Sequence, residues 1–262
     1  MFFKKQAIEL KTAKEIEKMK VAGKVVGEIL EKLYEIIKPG ITTKDIDEFS
    51  EKYIRKLKMT PAFLGATGAR YPFPASACVS INDEVVHGIP NVSRVLKSGD
   101  IVSVDMGVFY EGYYGDAART YAVGSISDAT ANLLKITELS LQKGIEKALP
   151  VNRLGDISNA VQTVAENAGF SVVRDFVGHG IGRNLHEEPQ IPNYGKAGTG
   201  VKLLPGMVLA IEPMINEGSY EVCMLDDDWT VVTRDGSLSA HFEHTVAITE
   251  SGYEILTKVE NG

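Results

Sequence analysis

The strongest constraint in this sequence is a pattern of elements that occurs twice. Thr12-Ala13-Lys14-Glu15 has the form of a capping box, with Glu at the third helical position. Ile16, Met19, Val25/Val26, Ile29/Leu30, Leu33 and Ile36/Ile37 then recur at helical spacing until Pro39-Gly40 stops the run. A second amphipathic segment follows Thr42/Thr43, with Ile46, Phe49, Tyr53, Ile54 and Leu57 on one stripe. From Ala77 the period shortens, and Cys78–Ile81, Val85–His87, Ile101–Val104 and Tyr113–Val123 read as strands. Helices are then expected over Asp128–Ala148 and Asp156–Ala168, with strands and turns up to Thr257. The two rounds match in detail. Lys38–Ile46 lies over Leu149–Ile157 at an offset of 111, and Gly99–Asp105 over Gly206–Glu212 at an offset of 107. The expected object is an α+β chain forming one domain, 1–262, with pseudo-equivalent halves over about 12–124 and 125–257. No Ser/Pro/Gly-rich linker separates them.

Composition narrows the function classes. The 262 residues carry 28 basic and 35 acidic side chains, a formal charge of −7. This argues against a nucleic-acid binder that relies on a general basic field, and against an anionic membrane surface as partner. Two cysteines, Cys78 and Cys223, cannot form a disulfide framework and suit a reducing compartment. Met1-Phe2-Phe3-Lys4-Lys5 has no apolar signal-peptide region, and the longest apolar runs are too short to span a bilayer. A cytoplasmic location is expected.

Four carboxylates stand in otherwise apolar strand sequence, two in each half. Asp105 follows Ile101–Val104. If Glu111-Gly112 is a two-residue hairpin loop, Asp116 falls opposite Gly107, so Asp105 and Asp116 become diagonal neighbours on one face. Such positions lie about 7–8 Å apart, within reach of a bridging object. Two bare carboxylates closer than that would repel, and a divalent cation removes the repulsion. Glu212 ends Leu209-Ala210-Ile211, and Glu243 is read as lying inside a strand running on through Val246-Ala247-Ile248. One buried acid is commonplace; four make a metal site the economical reading.

Three histidines sit in glycine-adjacent or strand-end contexts. His179 is flanked by Gly178 and Gly180, which would permit close backbone approach and place the imidazole on a tight turn. His186 begins His186-Glu187-Glu188-Pro189, which fails as a zincin motif because Gln190 replaces the second histidine. His87 precedes Gly88. No dinucleotide fingerprint, Walker loop or nucleophile elbow is present, and Asp226-Asp227-Asp228 reads as a charged turn.

With Val86–Pro90, Val104–Gly107, Gly115-Asp116, Gly178–Gly182, His186–Pro189, Ile211–Pro213 and Phe242–Thr245 in this order and spacing, the chain resembles the type I methionine aminopeptidases over nearly its whole length. The resemblance implies a pita-bread fold: a central antiparallel sheet covered by two helix pairs. It places five metal ligands on Asp105, Asp116, His179, Glu212 and Glu243, and two further catalytic histidines on His87 and His186. Glu212 would also take the proton of the attacking water. Phe73, Cys78 and Trp229 match methionine-pocket positions. There are departures: His241 stands where the family often has Gln, and Leu185 where an aromatic is common.

The implied activity is dinuclear, metal-dependent removal of the N-terminal methionine from nascent polypeptides, with a small second residue preferred. Four carboxylates and one imidazole favour Mn, Fe or Co, with Zn admissible. The implied partners are nascent N-termini and, transiently, the ribosome; a monomer is expected. Two rival readings share the fold. One is an X-Pro aminopeptidase or prolidase, which usually carries an additional N-terminal domain. The other is a non-catalytic peptide-binding relative, which would lack some of the five ligands.

Overall fold

The computed structural model describes residues 7–259. The Met1–Lys5 segment therefore lies outside the described residues. Four helices form where the apolar spacing predicts them: α1 (Ala13–Ile36), α2 (Thr43–Lys56), α3 (Asp128–Ile145) and α4 (Leu154–Asn167). Three of these starts are fixed by acids that bond back to the residue before the helix, and the fourth, that of α3, by Ser127 Oγ accepting from the Thr130 N–H at 3.1 Å. Glu15 Oε2 accepts from the Thr12 N–H at 2.8 Å, Asp45 Oδ2 from the Thr42 N–H at 2.7 Å, and Asp156 Oδ2 from the Arg153 N–H at 2.8 Å.

All strand pairs are antiparallel. Strands Ile101–Tyr110 and Tyr113–Ala122 form a long hairpin, extended on its other edge by Cys78–Ile81 and Thr60–Pro61. The second half has a five-stranded sheet in the order Tyr253–Ile255, His244–Ile248, Val208–Ile211, Gly178–Gly180, Glu187–Ile191. Helices α1 and α2 bury Val25, Val26, Ile29, Leu33, Ile46 and Ile54 against the first sheet. Leu133, Leu141 and Ile145 of α3, with Leu154 and Ile157 of α4, pack against Leu209, Ile211, Val246 and Ile248 of the second. The α+β architecture with two helix pairs over antiparallel sheet is thus present.

Hydrogen bonds of the same kind occur at two sets of positions along the chain. Thr42 bridges Val95 as Arg153 bridges Lys202. Thr43 N–H donates to the Arg94 carbonyl and Leu154 N–H to that of Val201. Leu96 N–H donates to Ile41, and Leu203 N–H to Asn152. Each pair is related by the same offsets of 111 and 107.

The halves meet along a seam joined by backbone bonds and by two threonine side chains. Thr120 Oγ1 donates to the His241 carbonyl and accepts from the His241 N–H, both at 2.9 Å. Thr245 Oγ1 donates to the Asp116 carbonyl at 2.7 Å and accepts from the Asp116 N–H at 3.1 Å. Thr120 relates to Thr245 as Asp116 relates to His241, 125 positions on. This reciprocal contact is the signature of a two-fold interface, here within one chain.

Three local expectations are corrected. Asp105 does not end its strand, which runs on to Tyr110 because Met106 and Val108 remain buried. Glu243 lies in a break between Ser239–His241 and His244–Ile248, where its N–H crosses the seam to the Ala118 carbonyl at 2.9 Å. His179 lies in a strand, not on a turn. A Cβ on Gly178 would sit 2.4 Å from the Ala210 carbonyl, and one on Gly180 2.2 Å from that of Glu188, so the glycines serve close strand packing.

Candidate metal centre

The hairpin register is the one the two-residue loop predicts: Gly107 opposes Asp116, and Asp105 opposes Ala118. Asp105 and Asp116 therefore point to one face as diagonal neighbours. Across the seam, Asp116, His179 and Glu243 each offer a ligand atom, and the three atoms lie within 4.8 Å of one another. Asp105 and Glu212 fall outside that tightest group but line the same cavity with it, as do His87 and His186. The seven polar residues singled out in the sequence thus face one space.

The carboxylates are buried without adequate partners. Asp105 Oδ1, Asp116 Oδ1 and Glu243 Oε1 have no hydrogen bond among the described residues. Burial, with the opposing pull of His241 and the push of Glu212, takes the Asp105 carboxyl up to about 7. Burial raises Asp116, Glu212 and Glu243 well above the usual carboxylate range, and for Asp116 and Glu243 the neighbouring carboxylates add to it. Four crowded acids that resist ionisation are what a bare multivalent-cation site should show.

Burial, with His186 nearby, lowers His179 to about 3, so its ring is neutral. Its Nδ1 lies 2.9 Å from the Gly180 carbonyl, which can only accept, so the proton resides on Nδ1 and Nε2 carries a lone pair. That nitrogen sits 3.5 Å from Glu212 Oε1. A ring nitrogen bonded to a carbonyl, with its mate turned inward, is the outer arrangement of metal-binding histidines.

His186 packs edge-on against His179, ring centroids 4.4 Å apart. His87 adopts φ 61°, a left-handed backbone uncommon for a residue with a side chain. The loop holding it is braced by a Glu84–Arg94 ion pair, with the Arg94 guanidinium also donating to the Ile89 carbonyl at 2.8 Å. Burial lowers His87 to about 4 and also depresses His186.

The apolar side of the cavity contains Phe73, Cys78 and Trp229, as expected, and also Phe63, Ala66 and Leu185. Phe73 and Trp229 meet edge to face at 5.2 Å. The charged turn positions Trp229: Asp227 Oδ1 accepts from the Trp229 and Thr230 N–H groups at 2.9 and 2.7 Å. A second cavity of about 380 Å³ opens from the same histidines and is lined by Val86, Phe176, Gln190 and Met214. Sequence reasoning missed these residues and Phe63. They lie on loops or short strands with no period, and only the position of Phe176 just before the Gly178–Gly180 strand hinted at a role.

Residues 17–250 match metallopeptidase family M24. Over 253 residues the chain is 55% identical to a methionine aminopeptidase of Clostridium acetobutylicum, covering 97% of this chain and all of that one. It is 55% identical over 249 residues to methionine aminopeptidase 1 of Bacillus subtilis, covering 95% and 98%. The crystal structure of a methionine aminopeptidase from Thermotoga maritima superposes with a TM-score of 0.93 at 51% identity, covering 97% of this chain and 100% of that one. A prolidase from Pyrococcus horikoshii shares the fold at a TM-score of 0.73 and 22% identity, but this chain spans 64% of its length. The chain therefore belongs to metallopeptidase family M24, a family that works with divalent metal ions, and within it to the methionine aminopeptidases.

Proposed function

We propose that this chain is a single catalytic unit that removes the N-terminal methionine from nascent polypeptides whose second residue is small. One observation carries the reading. A tight apolar cavity, about 80 Å³, is walled by Phe63, Phe73, Cys78, Leu185 and Trp229 and has Asp105, Asp116, His179, Glu212 and Glu243 at its other wall. It suits one slender, polarizable side chain such as a thioether, held directly against an acid cluster.

The orphaned oxygens of Asp105, Asp116 and Glu243 and the free Nε2 of His179 fit divalent cations. We assign Asp105, Asp116, His179, Glu212 and Glu243 as their ligands. The oxygen-rich set favours Mn, Fe or Co over softer ions, with Zn admissible. A pair of such cations lowers the pKa of a bound water and polarises a carbonyl when present.

The remaining chemistry falls to the chain's own groups. Glu212 takes the proton of the attacking water and relays it to the departing amine. His186, kept neutral by burial, donates its N–H to the scissile carbonyl. His87 hydrogen-bonds the substrate amide from its strained position, where Phe176 and Trp229 pack edge-on at 5.8 and 6.0 Å and limit its rotation. The cavity lined by Val86, Phe176, Gln190 and Met214 receives the second residue and limits its size.

The reading extends to the setting. Cys78 and Cys223 are both free, and no described helix is long and apolar enough to cross a membrane. We place the enzyme in the cytoplasm as a monomer meeting nascent chains, with transient ribosome association. Release of methionine from Met-Ala-Ser and Met-Lys peptides tests the activity. Fast release from the first and slow release from the second is expected. Equal rates would defeat the size gate, and cleavage of X-Pro dipeptides instead would favour the prolidase reading.

A further inference from the structure

His241 is buried to 1% exposure, yet neither ring nitrogen has a hydrogen-bond partner among the described residues. Leaving a buried polar group without a hydrogen bond is costly, so a ring placed this way calls for a partner. Glu212 Oε2 lies 3.6 Å from His241 Nε2, just beyond hydrogen-bond length. The other oxygen of Glu212 faces His179 Nε2 at 3.5 Å. One carboxylate is thus flanked by two imidazoles, one on each oxygen.

The backbone of His241 is pinned for this purpose. Its N–H and carbonyl are both engaged by Thr120, which is itself 2.8 Å from Ser103 Oγ. Thr245 grips Asp116 in the same two-handed way. His241 therefore occupies, in the second half, the place that Asp116 occupies in the first, and Asp116 belongs to the tightest donor cluster. The seam that aims one donor into the site aims the other.

We propose that His241 is a positioning residue of the metal centre, donating its Nε2–H to Glu212 Oε2 and so presenting Glu212 Oε1 toward the side shared with His179. Nε2 carries a proton in the charged ring and in the neutral tautomer that leaves Nδ1 bare, so the bond does not require a charged imidazole. With Oε2 occupied, Glu212 cannot rotate to offer both oxygens to a cation. Such outer partners of ligating carboxylates typically change metal affinity 10–100-fold when removed. The inference rests on Glu212 being a ligand.

The test uses the full-length protein, stripped with a chelator and titrated calorimetrically with Mn(II), and with Co(II) followed by its visible absorption. H241L should weaken Mn(II) binding by about 10–100-fold and alter the Co(II) spectrum. H241Q, whose amide N–H can reach the same oxygen, should restore both. Thermal melting of the metal-free variants checks that they fold, and H241M replaces H241L should the latter not fold. An H241L protein with wild-type affinity and spectrum, or an H241Q protein as impaired as H241L, overturns the assignment while leaving the proposed activity standing. Wild-type protein that takes up neither ion would overturn both.

Discussion

The two halves share one plan and differ in how they deliver their acids. In the first, Asp105 and Asp116 lie within ten-residue strands in an unbroken ladder. In the second, the strands beside the acids are three to five residues long, Glu212 follows Val208–Ile211, and Glu243 falls in the gap before His244. Short Asp side chains are held by regular sheet. Longer Glu side chains reach the same space from backbone that has left the ladder. The lesson is that pseudo-symmetry fixes where a donor arises, while the local backbone decides which donor can be used there.

The largest effect should come from removing an acid of the regular half. Asp116→Ala should reduce methionine release by more than about 100-fold, beyond the upper end of what loss of an outer partner costs. Metal titration of the variant should show the corresponding loss. Full hydrolytic rate in Asp116→Ala would sink the metal reading.

The seam offers a paired test. Thr245→Val and Thr120→Val each leave a buried N–H and carbonyl short of a partner, costing about 1–3 kcal/mol in denaturant unfolding. Because one threonine aims Asp116 and the other His241, Thr245→Val should weaken metal binding more. Equal losses of affinity would mean that the two halves contribute alike.

The crowded acids also predict an unusual pH response. Asp105, Asp116, Glu212 and Glu243 have raised carboxyl pKa values, so the folded metal-free protein holds protons that the unfolded chain has released. Stability therefore falls as pH rises. Above about pH 8 the histidines no longer oppose this: all are lowered by burial, and that far above the ordinary value of about 6.5 they are neutral in both states. The chelated protein should lose up to about 1.4 kcal/mol per pH unit for each carboxyl still protonated. Bound cations, which require ionised ligands, should remove that slope. A flat or rising melting temperature for the chelated protein over this range would contradict the crowding.

The smallest effect lies at the repeated helix caps. Asp45→Ala and Asp156→Ala should each cost about 1 kcal/mol of stability. Each acid also accepts a second bond, Asp45 from Thr42 Oγ1 at 2.7 Å and Asp156 from the Gly198 N–H at 2.8 Å, so the two costs should be similar. Neither should change kcat.

Much of this was legible because periodicity reports directly on regular elements. The α1 cap at Thr12, the hairpin register that sets Asp105 beside Asp116, and the matched segments Lys38–Ile46 with Leu149–Ile157 and Gly99–Asp105 with Gly206–Glu212 are all local signals. Glu243 reads as lying within a strand because strand sequence stands on both sides of the break, and a period of two cannot show that a ladder has ended. The glycines beside His179 suggest both a close backbone approach and a tight turn in sequence, and the fold uses them for the first, making room for Ala210 and Glu188. The pocket residues Phe63 and Phe176 were missed because a cavity assembled from separate loops leaves no periodic trace. The pairing of His241 with Asp116 could not be seen at all, because it depends on two threonine side chains that meet only across the folded seam.

Methionine release from Met-Ala-Ser by chelated full-length protein, as Mn(II) or Co(II) is added back, tests the metal-centred reading most directly. The chelated protein should be inactive, with the rate rising as the ions are restored. Full activity after chelation, or none after ions are returned to correctly folded protein, would refute it.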